Sequence, residues 1–129
     1  MMAFSFRPEH RLLQAAEFQQ VFDQVQCKVH QSGFLLLAAQ HQPSARLGFV
    51  IAKRKIRRAH ERNRVKRLAR ESFRQHREIL PAFDIVLMAK PEAVSLSNTD
   101  LHAQLSRAWS MLAQKAKLVR PVPTTGLSE

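Results

Sequence analysis

Between Lys53 and Arg77 the sequence reads KRKIRRAHERNRVKRLARESFRQHR, and twelve of these residues are Lys or Arg. Such groups bind rather than react. Guanidinium is planar, permanently charged, and able to grip a phosphate through two parallel hydrogen bonds or to lie flat on a base. Arg outnumbers Lys throughout the stretch, which favours nucleic acid over simple solubility. Only Glu61 and Glu71 oppose these charges, so one segment carries a net +10 of the formal +11 of the whole chain.

Groups suited to bond-breaking are scarce. A protein-only, metal-dependent nuclease needs clustered carboxylates to hold Mg2+. Glu61 and Glu71 stand ten residues apart in basic sequence, and the other acids are scattered. His10, His30, His41, His60, His76 and His102 form no i, i+4 pair and no Cys/His metal spacing, so each reads as a surface or turn residue. Cys27 is the single cysteine; it excludes an internal disulfide, fits a reducing cytoplasm, and reads as a structural thiol. With three glycines in all, the chain has no Gly-rich phosphate loop. The expectation is a binding surface, with no catalytic residue and no metal site supplied by the protein alone.

A chain of 129 residues with 45% hydrophobic content fits one modest globular domain. No run of about 18 apolar residues is present, and MMAFSFRPEH lacks the apolar stretch of a signal peptide, so a cytoplasmic protein without membrane spans is expected.

The elements that must carry the basic stretch follow from periodicity. RLLQAAEFQQVFDQV, from about Arg11 to Val25, has helical spacing through Leu12, Ala15, Phe18, Val21 (or Phe22) and Val25. KVHQSGFLLLAAQ is strand-like, with Gly33 dividing a short piece from the stronger run FLLLAAQ. HQPSA (41–45) is a turn by composition, and RLGFVIAK (46–53) is a second apolar run expected to pair with FLLLAAQ as a hairpin-like unit. In the basic stretch, Val65, Leu68, Ala69, Ser72 and Phe73 form one stripe of an amphipathic helix that Pro81 should end. FDIVLMAK (83–90) reads as a central strand buried on both faces. KPEAVSLSN is a loop closing on a Ser97/Asn98 cap, and the last helix buries Leu101, Leu105, Ala108, Trp109 and Leu112. The order helix, strands, helix, strand, helix predicts a mixed α/β fold of α+β two-layer type. One sheet of about four strands packs with three helices in a single domain over 1–118, and 119–129 is a Pro-punctuated tail.

With the Val65–Phe73 stripe turned inward, Asn63, Lys66, Arg67, Arg70, Arg74 and Arg77 fall on the opposite side within roughly a 100° arc, flanked by Arg62 and Arg64. Lys53, Arg54, Lys55, Arg57 and Arg58 extend the patch around the helix N-terminus, which itself favours anions. A solvated face is the bland alternative, but such faces mix signs. Like charges at i, i+4 cost roughly 0.2–0.5 kcal/mol per pair, and Arg62–Lys66–Arg70–Arg74 is an unbroken row of them. A membrane-surface helix would want a bulkier apolar face than Leu68 and Phe73 provide. A nucleic acid is the partner these residues fit.

RLGFVIAKRKIRRAHERNRVKRLARESFR (46–74) closely resembles the protein component of bacterial ribonuclease P, in its proteobacterial form. The resemblance rests on Arg62-Asn63-Arg64, then Lys66, Arg67, Arg70 and Glu71, with Ala52-Lys53-Arg54 ahead of them. Phe18, Val21 and Phe22 match that family's first helix, and the similarity runs from about Arg11 to Trp109. It implies a left-handed strand–helix–strand crossover in the sheet. It also implies a catalytic RNA as 1:1 partner, which with Mg2+ held mainly through the RNA removes the 5′ leader of precursor tRNA. Carried over, Arg58, Arg62, Asn63, Arg64, Lys66, Arg67, Arg70 and Arg74 would bind the catalytic RNA. Phe18, Phe22, Lys53 and Arg54 would bind the leader in a groove between the first helix and the sheet. Spacing alone reads Phe18 and Phe22 as core packing; both readings stand open, and one ring could serve each purpose. Where some relatives carry Tyr in the strand FLLLAAQ, this chain has aliphatics at Leu36 and Leu37, and Arg57 or Arg58 stands where some have Gly. Two rivals remain: a structural RNA-binding protein of ribosomal type, and a DNA-reading module, for which no helix-turn-helix is apparent.

Overall fold

The computed structural model describes Arg11, residues 15–40 and residues 44–118. Along the chain run α1 (Ala15–Asp23), β1 (Cys27–His30), β2 (Phe34–Gln40), β3 (Arg46–Val50), α2 (Ala59–His76), β4 (Phe83–Ala89) and α3 (Asn98–Ala116). Short 3-10 turns at Arg77–Ile79 and Pro91–Ser95 follow α2 and β4. The four strands form one sheet in the order β1-β2-β4-β3, with β3 and β4 parallel and the other two ladders antiparallel. This is the expected α+β arrangement of three helices and a four-stranded mixed sheet.

The expected pairing of β2 with β3 is not found. β4 lies between them, taking β2 on one edge and β3 on the other. The reason lies in burial: FDIVLMA is the most apolar strand, buried at every position but Met88, whereas Arg46, Phe49 and Val50 of β3 are only half-buried. The centre of the sheet goes to the strand that can lose water on both faces, and the parallel β3–β4 pair then needs a crossover, which α2 supplies.

One face of the sheet, with Leu36, Ala38, Leu47, Ile85 and Leu87, packs on the stripes of α2 and α3. Every residue predicted for those stripes is buried. Ser72, the polar member, accepts a 2.8 Å hydrogen bond from Trp109 Nε1, and Trp109 meets Phe73 edge-on with ring centroids 5.7 Å apart. The hydroxyl is there to satisfy the indole N–H. On the other face, among the described residues, lies α1, with Val21 packing against Leu37, Ala39 and Val86. The helices therefore divide between the two faces, which adds a third layer to the two expected.

Element ends differ in instructive ways. Arg11 is not helical: it forms an isolated parallel bridge to Leu47 of β3. Residues 12–14, much of the 41–45 turn and the 119–129 tail lie outside the described residues. α2 stops at His76, further from Pro81 than the residue or two expected, and a 3-10 turn over Arg77–Ile79 covers most of the gap. The Ser97 cap is as expected, its Oγ accepting from Asp100 N at 3.0 Å.

Candidate nucleic-acid interface

With its stripe fixed on the sheet, α2 turns Asn63, Arg67 and Arg70 to solvent, with Lys66 and Arg74 half-exposed beside them. Ahead of the helix, Lys53, Arg54, Lys55, Arg57 and Arg58 are all exposed. One buried side chain among them explains the turn: Ile56, 1% exposed, plugs into the core. The N–H groups of Lys55 and Ile56 both donate to Ala52 O, at 3.0 and 3.1 Å. An apolar anchor inside a run of cations pins the backbone and splays the charges outward.

Arg62 and Arg64 behave differently from their neighbours. Arg62 Nη1 donates back to Ile56 O at 2.9 Å and Arg57 O at 2.8 Å, closing the turn into α2. Arg58 at the N-cap position makes no capping hydrogen bond of its own. Arg64 is spread over four acceptors: Glu61 Oε1 at 3.1 Å, Asn98 Oδ1 at 2.6 Å, Ala93 O at 2.9 Å and Leu96 O at 3.1 Å. Its side chain is 17% exposed. Arg62 and Arg64 thus flank the exposed Asn63 and brace the helix, one to the turn before it and one to the segment leading into α3. Arg70 lies over the Phe49 ring, 5.4 Å from its centroid. Burial, and then the charge of Arg11, lower its pKa from the ordinary arginine value. An arginine so placed keeps its charge at neutral pH. Arg74 approaches Glu71 at 3.8 Å, an exposed pair worth little.

The face that carries α1 has an apolar shelf. Cross-strand register lines up His30, Leu35, Met88 and Val50 in one row across the sheet. Leu35, Met88 and Val50 are half-buried, while the next row inward, with Leu37 and Val86, is buried beneath α1. Phe18 is half-buried against this cluster, whereas Phe22 is 38% exposed. Of the two rings left open between core and surface, Phe18 belongs mainly to the packing and Phe22 to the solvent side. β3 leaves the shelf at Val50 and reaches the Lys53–Lys55 turn three residues later, so cations border one end of it.

The sequence reading missed a partly buried ionic cluster beneath α1. Arg46 grips Asp84 through Nε–Oδ1 and Nη2–Oδ2, both 2.7 Å, and reaches Glu17 Oε2 through Nη1 at 2.8 Å. These bonds to Asp84 raise the Arg46 pKa despite burial. A signal was available: Asp84 is the one acid in an otherwise apolar strand, and such a charge needs a partner. Among the described residues no three His, Cys, Asp or Glu side chains gather as metal ligands, and no helix is long and apolar enough to cross a membrane. Cys27 is buried, and burial pushes its thiol pKa up, the opposite of an activated nucleophile.

Comparison with known proteins meets this geometry. The sequence pattern of the family described as Ribonuclease P matches residues 6–113. The chain belongs to the ribonuclease P protein family. It is 52% identical to a ribonuclease P protein component of Acinetobacter baylyi over 95% of this chain and 94% of the relative. It is 43% identical to that of a Marinomonas species, over 90% and 89%. The fold matches that of an RNase P protein from Staphylococcus aureus at a TM-score of 0.67 and 24% identity, covering 84% of this chain and 95% of the other. Membership makes the chain a component of a tRNA-processing ribonuclease.

Proposed function

We propose that this chain is the protein subunit that docks on the catalytic RNA of ribonuclease P and holds the 5′ leader of precursor tRNA, while the RNA hydrolyses the phosphodiester. The observation that carries this reading is the strongly basic, outward face of α2. Asn63, Lys66, Arg67, Arg70 and Arg74, with Arg58 at its head, present cations and an amide on a helix whose opposite stripe is locked into the core. That face binds the catalytic RNA, one protein per RNA. Arg62 and Arg64 support it from its margins. The α1 face takes the unpaired leader. Bases lie on the shelf of Leu35, Met88 and Val50, Phe22 offers a ring for stacking, and Lys53 and Arg54 meet phosphates.

Mg2+ belongs to the RNA in this reading. The carboxylates nearest the basic face do not fit a metal cage: Glu61 is bonded to Arg64 and Glu71 lies beside Arg74. No step of the hydrolysis is assigned to a side chain of this protein. Its contribution is to neutralise phosphates and to raise affinity for substrate, in the cytoplasm where precursor tRNA is made.

Cleavage of precursor tRNA by the catalytic RNA at low Mg2+, with and without the protein, tests this function. Stimulation is expected, and no stimulation overturns it. Sequencing the RNA that co-purifies from cells separates it from a ribosomal role: ribonuclease P RNA is expected, and ribosomal RNA alone would favour the rival.

A further inference from the structure

α1 is a nine-residue helix with Val21 as its one buried side chain. Its apolar hold on the sheet is correspondingly narrow, Val21 and half-buried Phe18 resting on Leu37, Ala39 and Val86. A second attachment lies one turn earlier, at Glu17. Arg46 and Asp84 face each other in the parallel register of β3 and β4 and form a two-bonded pair, with side chains 15% and 4% exposed. The third donor of Arg46 reaches up to Glu17, which is 27% exposed. The pair is part of the sheet; Glu17 is the arm that ties the helix to it. With Val21 as a pivot and Glu17 as an arm, α1 is held at two levels along its length, and the positions of Phe18 and Phe22 follow from that pose.

We propose that Glu17 is a positioning residue. Through Arg46 it sets the angle of α1 over the sheet and so keeps the shelf of Leu35, Met88 and Val50 open to an unpaired RNA strand. The proposal rests on the reading of the α1 face as the leader groove. A carboxylate on a face that receives a polyanion is unfavourable on charge alone, so positioning and Coulomb repulsion predict opposite signs for its removal.

The test uses holoenzyme reconstituted with the catalytic RNA. Its readout is the leader gain, meaning the affinity for precursor tRNA divided by that for a leaderless tRNA. Glu17→Gln removes the charge and keeps the shape; Glu17→Asp keeps the charge and shortens the arm. If Glu17 positions α1, both lower the gain, Gln by about fivefold, the equivalent of weakening one base stack. Affinity for the catalytic RNA stays unchanged, which a general loss of folding would not allow. An equal or larger gain in Glu17→Gln overturns the proposal and leaves the groove reading standing. Absence of any leader gain in the unmodified protein overturns the groove reading, and the role of Glu17 falls with it.

Discussion

Arg64 and Arg67 stand three residues apart in the same basic run, yet their truncations should fail in different ways. Arg64→Ala deletes donors to Ala93 O, Leu96 O, Asn98 Oδ1 and Glu61 Oε1. Hydrogen bonds from a charged donor are worth about 1.5–3 kcal/mol when their acceptors stay dry. Here the site is partly open, so water recovers much of that, and a net loss of about 2–3 kcal/mol is expected. For a domain of this size that lowers Tm by roughly 10 °C. Arg67 is exposed, and its truncation should leave Tm within about 2 °C, as for surface substitutions in general. RNA binding reverses the ranking. Each phosphate contact contributes about 0.7–0.9 to the slope of log K against log salt, so Arg67→Ala should flatten the slope by roughly that amount. Arg64→Ala should weaken binding with the slope intact, because the exposed cations of the proposed face are still present but less well held. The assay is a salt titration of binding to the catalytic RNA, run below both melting temperatures beside thermal melts followed by fluorescence of Trp109, the single tryptophan. An Arg64→Ala protein with unchanged Tm and a slope as flat as that of Arg67→Ala would refute the reasoning.

Phe22→Ala should reduce leader-dependent affinity by about fivefold or more with little change in Tm, whereas Phe18→Ala should lower both; equal effects of the two on melting would contradict their different burial. Ser72→Ala strands the buried indole N–H of Trp109 and should cost about 1–3 kcal/mol in denaturant melts, so an unchanged midpoint would show that the bond contributes nothing. Cys27 should react with iodoacetamide far more slowly in the folded protein than in denaturant at pH 8, since burial raises its pKa and blocks access. The sign for stability follows: a thiol held neutral stabilises the fold fully below its unfolded pKa, and the benefit is lost as pH rises through the raised folded value. A Cys27→Ala variant whose alkaline loss of stability matched that of the unmodified protein would contradict this.

Much of α2 was legible because a helix buries residues at a fixed period: the Val65–Phe73 stripe and the exposed arc opposite follow from spacing alone. The central place of FDIVLMA was legible from its unbroken apolar run. Its neighbours were not, because pairing depends on which strand can bury two faces, and that is a comparison among all strands at once. Arg62 and Arg64 illustrate a different limit. A guanidinium satisfies a phosphate and a backbone carbonyl with the same donors, so composition cannot separate a ligand-binding arginine from a bracing one. The Glu17–Arg46–Asp84 cluster joins three elements from distant parts of the chain, and only the register of β3 on β4 brings it together.

The place of β4 also has a consequence in time. It is the last strand among the described residues, yet two of the three ladders of the sheet are built on its two edges. Until residues 83–89 have left the ribosome, β1–β2 is the one ladder of this sheet that can form, and the face on which α2 lays its apolar stripe is incomplete. The most cationic segment of the protein therefore emerges before the surface that organises it, in immediate proximity to RNA. Folding must close over long loops at a late stage, a slow class of event. The strand order itself thus puts synthesis of the basic segment ahead of the strand that completes the sheet beneath it.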